Sequence, residues 1–420
     1  MSILAPFSPS HDAPFDFARA NRLLSRVGFG ASYAQVQRAV KLGLEATVDE
    51  LFSLADAPGS DARASEHLRG GQLAGARAWW LDELQRGVGA GRERLALFWH
   101  GHFATSIRKP LPLALMVRQI EWLRRHGMEC FDVILREMAT DPALILWLDA
   151  HQNVAQAPNE NLAREILELF ALGYGHYDQS DVRALSRALT GWQVDIDTAV
   201  LRPELHDHGR VRLLGRDDIA DWRAAIDAVA ASPQCARWIA GRLWEHYFGT
   251  VLRGQALDEL AAEFAADGLH IGRLAQRIAG SRALLAPIEL EPRVAAPVEL
   301  AVVFARRLGT VAQPHRVGEL AARMGQGLFA PPSVAGWPKG PAWLGSAWCL
   351  RRMELAAELL SDTSPSDEFR GADGFEQLLA LFCTTVEQRA EVRASVARAR
   401  WSVDANHLPL TLALAPTQYL

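Results

Sequence analysis

Apolar residues recur at helical spacing along most of this 420-residue chain, and the spacing fails at length in two stretches, residues 193–217 and 325–345. No segment alternates over enough strands to build a sheet, and no repeat of solenoid period is present. The fold class that follows is all-α: a large, irregular helical domain with two long irregular loop insertions. The first insertion alternates enough for a short hairpin. Hydrophobic residues make up 49% of the chain and charged residues 22%, so a sizeable core can form and disorder is excluded. Residues 15–360 are predicted to form one helical domain, and 361–420 a C-terminal helical extension packed on the same core.

Helices are predicted at 15–27, 33–42, 46–54, 74–86, 92–103, 112–126, 131–140 and 142–147. Beyond them, helices are expected at 180–192, 218–231, 234–248, 256–267, 271–279, 297–308 and 346–360, with two more within 367–401. Residues 55–71, rich in Ala, Gly and Ser, read as a mobile connection. The organising stretch is APNENLAREILELFALGYG, residues 157–175. Asn159 is a suitable N-cap, and Gly173 and Gly175 supply a left-handed stop. At 100° per residue Leu162, Ile166, Leu169 and Phe170 share one arc, with Ala163 and Leu167 beside them. Asn161, Glu165, Glu168 and Leu172 make a stripe along the edge of that arc. Such a stripe is either a solvated acidic face or the lining of a cleft, where burial tunes the carboxylates.

Net charge is −5, which gives no support for a nucleic-acid surface or an anionic membrane surface. Cys130, Cys235, Cys349 and Cys383 lie far apart without a CxxC pair, so they read as buried thiols rather than a zinc cage or a disulfide framework. The first residues carry no basic segment followed by an apolar one, and no apolar run is long enough to span a bilayer. The expected location is therefore cytoplasmic. Phosphate-binding glycine loops, HExxH and a GxSxG elbow are lacking, which disfavours a nucleotide enzyme, a zincin or an α/β-hydrolase.

Several polar groups could carry chemistry. His100 and His102 form an HxH pair, but residues two apart on an unbroken helix point about 200° apart. Shared chelation therefore needs a break at Gly101. The alternative is one histidine facing a cleft and the other held in the core by a backbone partner. Asp149, His151 and Asn153 precede the central helix closely enough to return to its start. His206, Asp207 and His208 sit in the first irregular stretch, as ligands, a general acid or base, or plain surface residues. In the second, Pro331, Pro332, Pro338 and Pro341 stiffen a loop that presents Trp337 and Trp343, as an aromatic wall or as core plugs.

RLLSRVGFGAS, FWHGHFATS, PNENLAREILELFALGYG, DVRALSRALTGW, LHDHGRVRLLG and GQGLFAPPSVAGWPKGPAW occur in this order. Together they resemble the bacterial family called "domain of unknown function 1800", over about residues 22–353. The resemblance implies recurring polar positions at His100, His102, Asn159, Glu160, Asn161, Arg164, Glu165, Glu168, Thr190, Trp192, His206, Asp207, Trp337 and Trp343. It also implies a partner from "domain of unknown function 1501", which looks like the alkaline phosphatase and sulfatase superfamily. This chain departs from the family pattern at Gly101, where an Asn is usual, and in lacking the export signal that many members carry.

Two functions follow as expectations. One is a hydrolase using acid/base or metal-assisted chemistry, with Glu165, Glu168, Arg164 and His100 catalytic. In it Glu160, Asn161, Trp192, His206, Asp207, Trp337 and Trp343 bind substrate, and a divalent metal ion is held by some of His100, His102 and His206. The other is a non-catalytic binding partner or scaffold for a sulfatase- or phosphatase-like protein.

Overall fold

Capping side chains mark where many helices begin. Ser32 and Gln35 form a reciprocal capping box at Tyr33–Leu42, and Asp178 and Asp181 form another at Gln179–Ala188. Asp16, Asp141 and Asp221 cap the helices Phe17–Arg26, Pro142–Trp147 and Trp222–Ala230. The computed structural model describes residues 2–286, 293–308, 313–361, 371–383 and 386–398. Over these residues the protein is predominantly helical, with two small two-stranded sheets. No helix among them is long and apolar enough to cross a membrane.

The helix Ala90–His102 is the inner member of the fold, with every residue but Gly101 buried. It packs against Leu73–Arg86 and Leu113–His126. Its buried charges are paired. Glu93 accepts from Arg124 at 2.9 Å, from Arg92 at 3.0 Å and from the Trp80 indole at 3.2 Å. Arg124 continues to Glu83 at 3.2 Å, and Arg63 then joins Glu83 to Asp82. A buried charge without such partners would be strongly destabilising.

Several expectations are corrected. The supposed mobile connection at 55–71 contains the helix Ser60–His67, which buries no residue and so has no apolar stripe to betray it. A further helix, Pro314–Arg323, precedes the second irregular stretch. The helix expected to reach residue 192 ends at Ala188, and Trp192 instead opens a strand. The first irregular stretch is two hairpins. Trp192–Asp195 pairs with Thr198–Leu201, and Val211–Leu213 pairs with Arg216–Ile219. In the second hairpin Leu214 and Gly215 both take positive φ, the geometry that matches a tight turn to strand twist. Arg216–Ile219 also displaces the start of the next helix from 218 to Trp222. Of the thiols, Cys235 and Cys383 are buried and Cys130 is partly exposed; the side chain of Cys349 lies outside the described residues.

The central helix is short and changes pitch. It is α-helical over Asn161–Glu165 and π-helical over Ile166–Ala171, closed by the Leu172 N–H bonding Leu167 O at 3.0 Å. Asn159 is not the formal cap, which is Glu160; its Oδ1 accepts at 2.9 Å from the N–H of Asn161, the first helical residue. The wide turn leaves carbonyls that three side chains satisfy. Trp238 Nε1 donates to Leu169 O, Gln234 Nε2 to Leu172 O, and His102 Nε2 to Phe170 O. Gly173, at φ +81°, is required where it stands, because a Cβ would lie 2.7 Å from the Trp238 ring.

Near the C-terminus, Gly371–Phe382 places Leu378, Leu379, Leu381 and Phe382 in the main core, and Asn21 Nδ2 donates to the Leu381 carbonyl at 3.0 Å. Val386–Arg398 follows. The rest of the expected extension, 362–370, 384–385 and 399–420, lies outside the described residues.

Candidate ligand-binding site

The HGH segment is built as a double tether. The helix runs unbroken through Gly101, so His100 and His102 diverge. His100 Nε2 accepts the Phe329 N–H at 3.0 Å and thereby anchors the proline-rich loop. His102 Nε2 takes the opposite role, since its partner is the Phe170 carbonyl at 2.9 Å, and so carries the proton. Burial lowers both imidazoles to about 3, so both are neutral at physiological pH. Each histidine has a backbone partner; His102 in addition faces a cavity, while His100 lies behind Trp337, ring centroids 5.0 Å apart.

Trp337 reaches that position because Gly336 and Gly101 touch. Gly336 has φ +82°, and a Cβ there would lie 2.2 Å from Gly101 O. Gly101 itself has room on its side-chain face: a Cβ there would first meet the Trp337 ring, at 3.7 Å. The stiff loop thus seats Trp337 and Trp343, both buried, in a small cluster with Val294.

These two tryptophans form one wall of a cavity of about 210 Å³. Helix Ala90–His102 supplies Arg94, Phe98 and His102 to it, and helix Pro233–Phe248 supplies Arg242, Glu245 and His246. Arg293 and Glu299 close the inner end, and Lys339 stands on the loop. Gly249 at φ +76° lets the Arg293 chain lie over it, for a Cβ would be 2.5 Å from Arg293 Cγ.

The charges do not balance. Among the described residues, the lining holds Arg94, Arg242, Arg293 and Lys339 against Glu245 and Glu299. Glu299 is shared by Arg94, at 2.9 Å, and Arg293; Glu245 is shared by Arg242, at 2.8 Å, and Lys339, at 3.8 Å. Arg94 Nε, Arg242 Nε, His246 Nε2 and Trp337 Nε1 are buried polar atoms without a hydrogen-bond partner among the described residues. Burial lowers Arg94 to about 10, and burial followed by Arg242 lowers Lys339 to about 8. Burial, then Arg94, Arg293, Lys339 and Arg242 in that order, hold His246 well below the usual imidazole range. The arrangement suits an anion, whose charge the cations would share and whose oxygens would meet the spare N–H groups.

The other residues singled out from the sequence lie elsewhere. Glu165 and Glu168 are half-buried and do not line this cavity. Glu168 accepts from Tyr177 Oη at 2.5 Å; Glu165 Oε2 has no partner among the described residues, and burial followed by Glu168 raises the Glu165 carboxyl above its usual range. Arg164 pairs with Glu160 at 2.8 Å, Gln179 bridges to the same carboxylate, and Asn161 is exposed. His206 Nδ1 donates to Thr190 O at 2.8 Å, and Asp207 pairs with Arg187 at 2.7 Å, an ion-paired hydrogen bond that holds Asp207 below the ordinary carboxylate range. The HDH run therefore fastens the hairpin segment to the end of Gln179–Ala188, and the exposed His208 reaches Pro203 O. Asn153 ties the start of the central helix together, donating to Ser186 O and accepting from Asn159 N–H, each at 2.8 Å. Trp192 packs edge-on against Trp222. The two irregular stretches thus do not share a site: no residue of 193–217 lines the cavity. Among the described residues no three His, Cys, Asp or Glu side chains gather as metal ligands.

Sequence reasoning missed Arg94, Arg242, Glu245, His246, Arg293, Glu299 and Lys339. A signal existed for one of them: Glu299 is a charge set inside an otherwise apolar run, PVELAVVF, whereas Arg94 closes the charged segment RER and gives no such sign.

Fold and cavity together define a helical protein built around a cationic, aromatic-walled pocket. Residues 22–419 match the family described as "Protein of unknown function (DUF1800)", and the chain belongs to that family. No curated protein and no solved structure matches it.

Proposed function

We propose that this protein binds a small anionic molecule with a flat or apolar body in the cavity between Trp337 and the helices Ala90–His102 and Pro233–Phe248. One observation carries the reading: four cations share two carboxylates while buried N–H donors, Arg94 Nε foremost, stay unpartnered. Leaving such donors unsatisfied is unfavourable, and an anion's oxygens remove that cost. The rings of Phe98, Trp337 and Trp343 offer the apolar body a matching surface. Titration with benzoate and phenyl phosphate against neutral benzamide, followed by calorimetry and tryptophan fluorescence, tests it. The anions should bind at least about tenfold more tightly than benzamide, the ratio one charge-assisted hydrogen bond supports. Equal binding of all three, or none, overturns the reading.

A second reading, acid/base hydrolysis at Glu165 and Glu168, draws support from the unpartnered Glu165 Oε2 and its raised carboxyl. It concerns a different place in the molecule, so a Glu165→Gln variant that loses turnover while still binding benzoate would separate the two. A sulfatase- or phosphatase-like partner is proposed on the family resemblance alone.

A further inference from the structure

The cavity has two cationic ends of the same make. At the inner end Arg94 and Arg293 share Glu299, and their side chains are 2%, 10% and 6% exposed. At the mouth Arg242 and Lys339 share Glu245, with exposures of 21%, 48% and 26%. Among the described residues each end has two cations on one carboxylate, and so one positive charge in excess. At each a buried guanidinium N–H has no acceptor among the described residues, Arg94 Nε inside and Arg242 Nε outside. His246 lines the same cavity, and the charges of all four cations act on it. Its Nε2 and the Trp337 Nε1 are further buried polar atoms of the lining without a partner among the described residues.

A monoanion at either end would leave the other excess charge uncompensated. The inner end feels this more, because low exposure weakens solvent screening. Arg26 adds to it: its Nη1 is buried without a partner among the described residues, and its charge also acts on Arg293. Two anion holders at different depths, in one cavity with an aromatic lining, call for a ligand charged at both ends.

We propose that the ligand is a dianion. One carboxylate, phosphate or sulfate group lies against Arg94 and Arg293, the second against Arg242 and Lys339, and the apolar or planar middle runs past His246 along Trp337 and Trp343. This rests on the anion-binding reading above and adds the number and placement of the charges.

The test is calorimetric titration, at neutral pH and fixed ionic strength, with α,ω-dicarboxylates from malonate to pimelate and with terephthalate. Each is compared with its half-amide, which keeps the body and removes one charge. At least one dianion should bind about 10- to 100-fold more tightly than its half-amide, the gain expected from a second charge-assisted contact. The advantage should peak at one chain length, because the two ends are fixed. Arg242→Gln, at the more exposed mouth where folding is least at risk, should erase most of the gap between dianion and half-amide. If half-amides match their dianions at every length, the dianion proposal fails while anion binding stands. If no anion binds, the anion-binding reading itself fails. A gap that survives Arg242→Gln overturns the assignment of the second charge to the mouth.

Discussion

Replacing Glu299 by Gln removes the one carboxylate that Arg94 and Arg293 share. All three side chains are at most 10% exposed, so solvent does little to screen the two guanidiniums left behind. Breaking a buried ion pair from one side costs about 3–5 kcal/mol. The unfolding entropy of a 420-residue chain, at about 2 cal/mol/K per residue, is roughly 0.9 kcal/mol/K, so the melting temperature should fall by about 3–6 °C. The excess charge of the cavity sets a second expectation. Without its internal counterion the inner end should bind sulfate more tightly than the parent protein does, and an anion at about 100 times its Kd returns about 2.7 kcal/mol. Thermal unfolding of both proteins across a sulfate series, with chloride holding ionic strength constant, reads both effects. Glu245→Gln, at the open mouth, is the control and should lose under about 1 kcal/mol. The reasoning is refuted if Glu299→Gln melts with the parent, or if sulfate raises both melting temperatures equally.

Three further outcomes follow. Asp141 is buried, accepts from Leu144 N–H at 2.9 Å and Gln119 Nε2 at 2.7 Å, and is raised by burial to about 7. Because its folded pKa lies above the unfolded one, its stabilising contribution is complete below about pH 4 and is lost as pH rises towards 7. Asp141→Asn keeps an N-cap and cannot ionise. In urea unfolding its stability relative to the parent should therefore improve by roughly 3 kcal/mol between pH 5 and pH 8, and an unchanged gap would refute the assignment. Glu165→Gln should stay within about 1 kcal/mol of the parent by chemical denaturation, since Oε2 has no partner to lose; a loss of roughly 3–5 kcal/mol would mean the carboxylate holds a charge in place. Gly336→Ala should cost about 2 kcal/mol or more, from its positive φ and the close Gly101 carbonyl, and should shift the fluorescence of Trp337; a silent substitution would show that the loop does not need this contact.

Local features were readable where the physics is local. The start of Tyr33–Leu42 is readable because the Ser32 cap acts within three residues, and Leu162, Ala163, Ile166, Leu167 and Phe170 on the buried face of the central helix follow from spacing, while Leu172, expected on the polar stripe, is buried. Where burial gives no pattern, the sequence is silent: Ser60–His67 buries nothing; in the first irregular stretch alternation signals a short hairpin, but strands of three or four residues are too short to show that there are two. The π-turn is invisible for another reason. It persists because Trp238, Gln234 and His102, far away in the chain, take the carbonyls it frees.

The sequence by itself determined a helical body, two interruptions, and the HGH and tryptophan segments as places to look. Tertiary structure alone decided what those segments do. It placed His100 behind the wall and His102 on it, tied His206 and Asp207 to a helix end, and kept Glu165 and Glu168 out of the cavity. The site joins Arg94, Arg242, His246, Arg293, Glu299 and Lys339, which span some 245 positions of chain. Periodicity reports which face of a helix is buried, but not which distant face it meets. An excess of charge exists only after folding has brought those faces together.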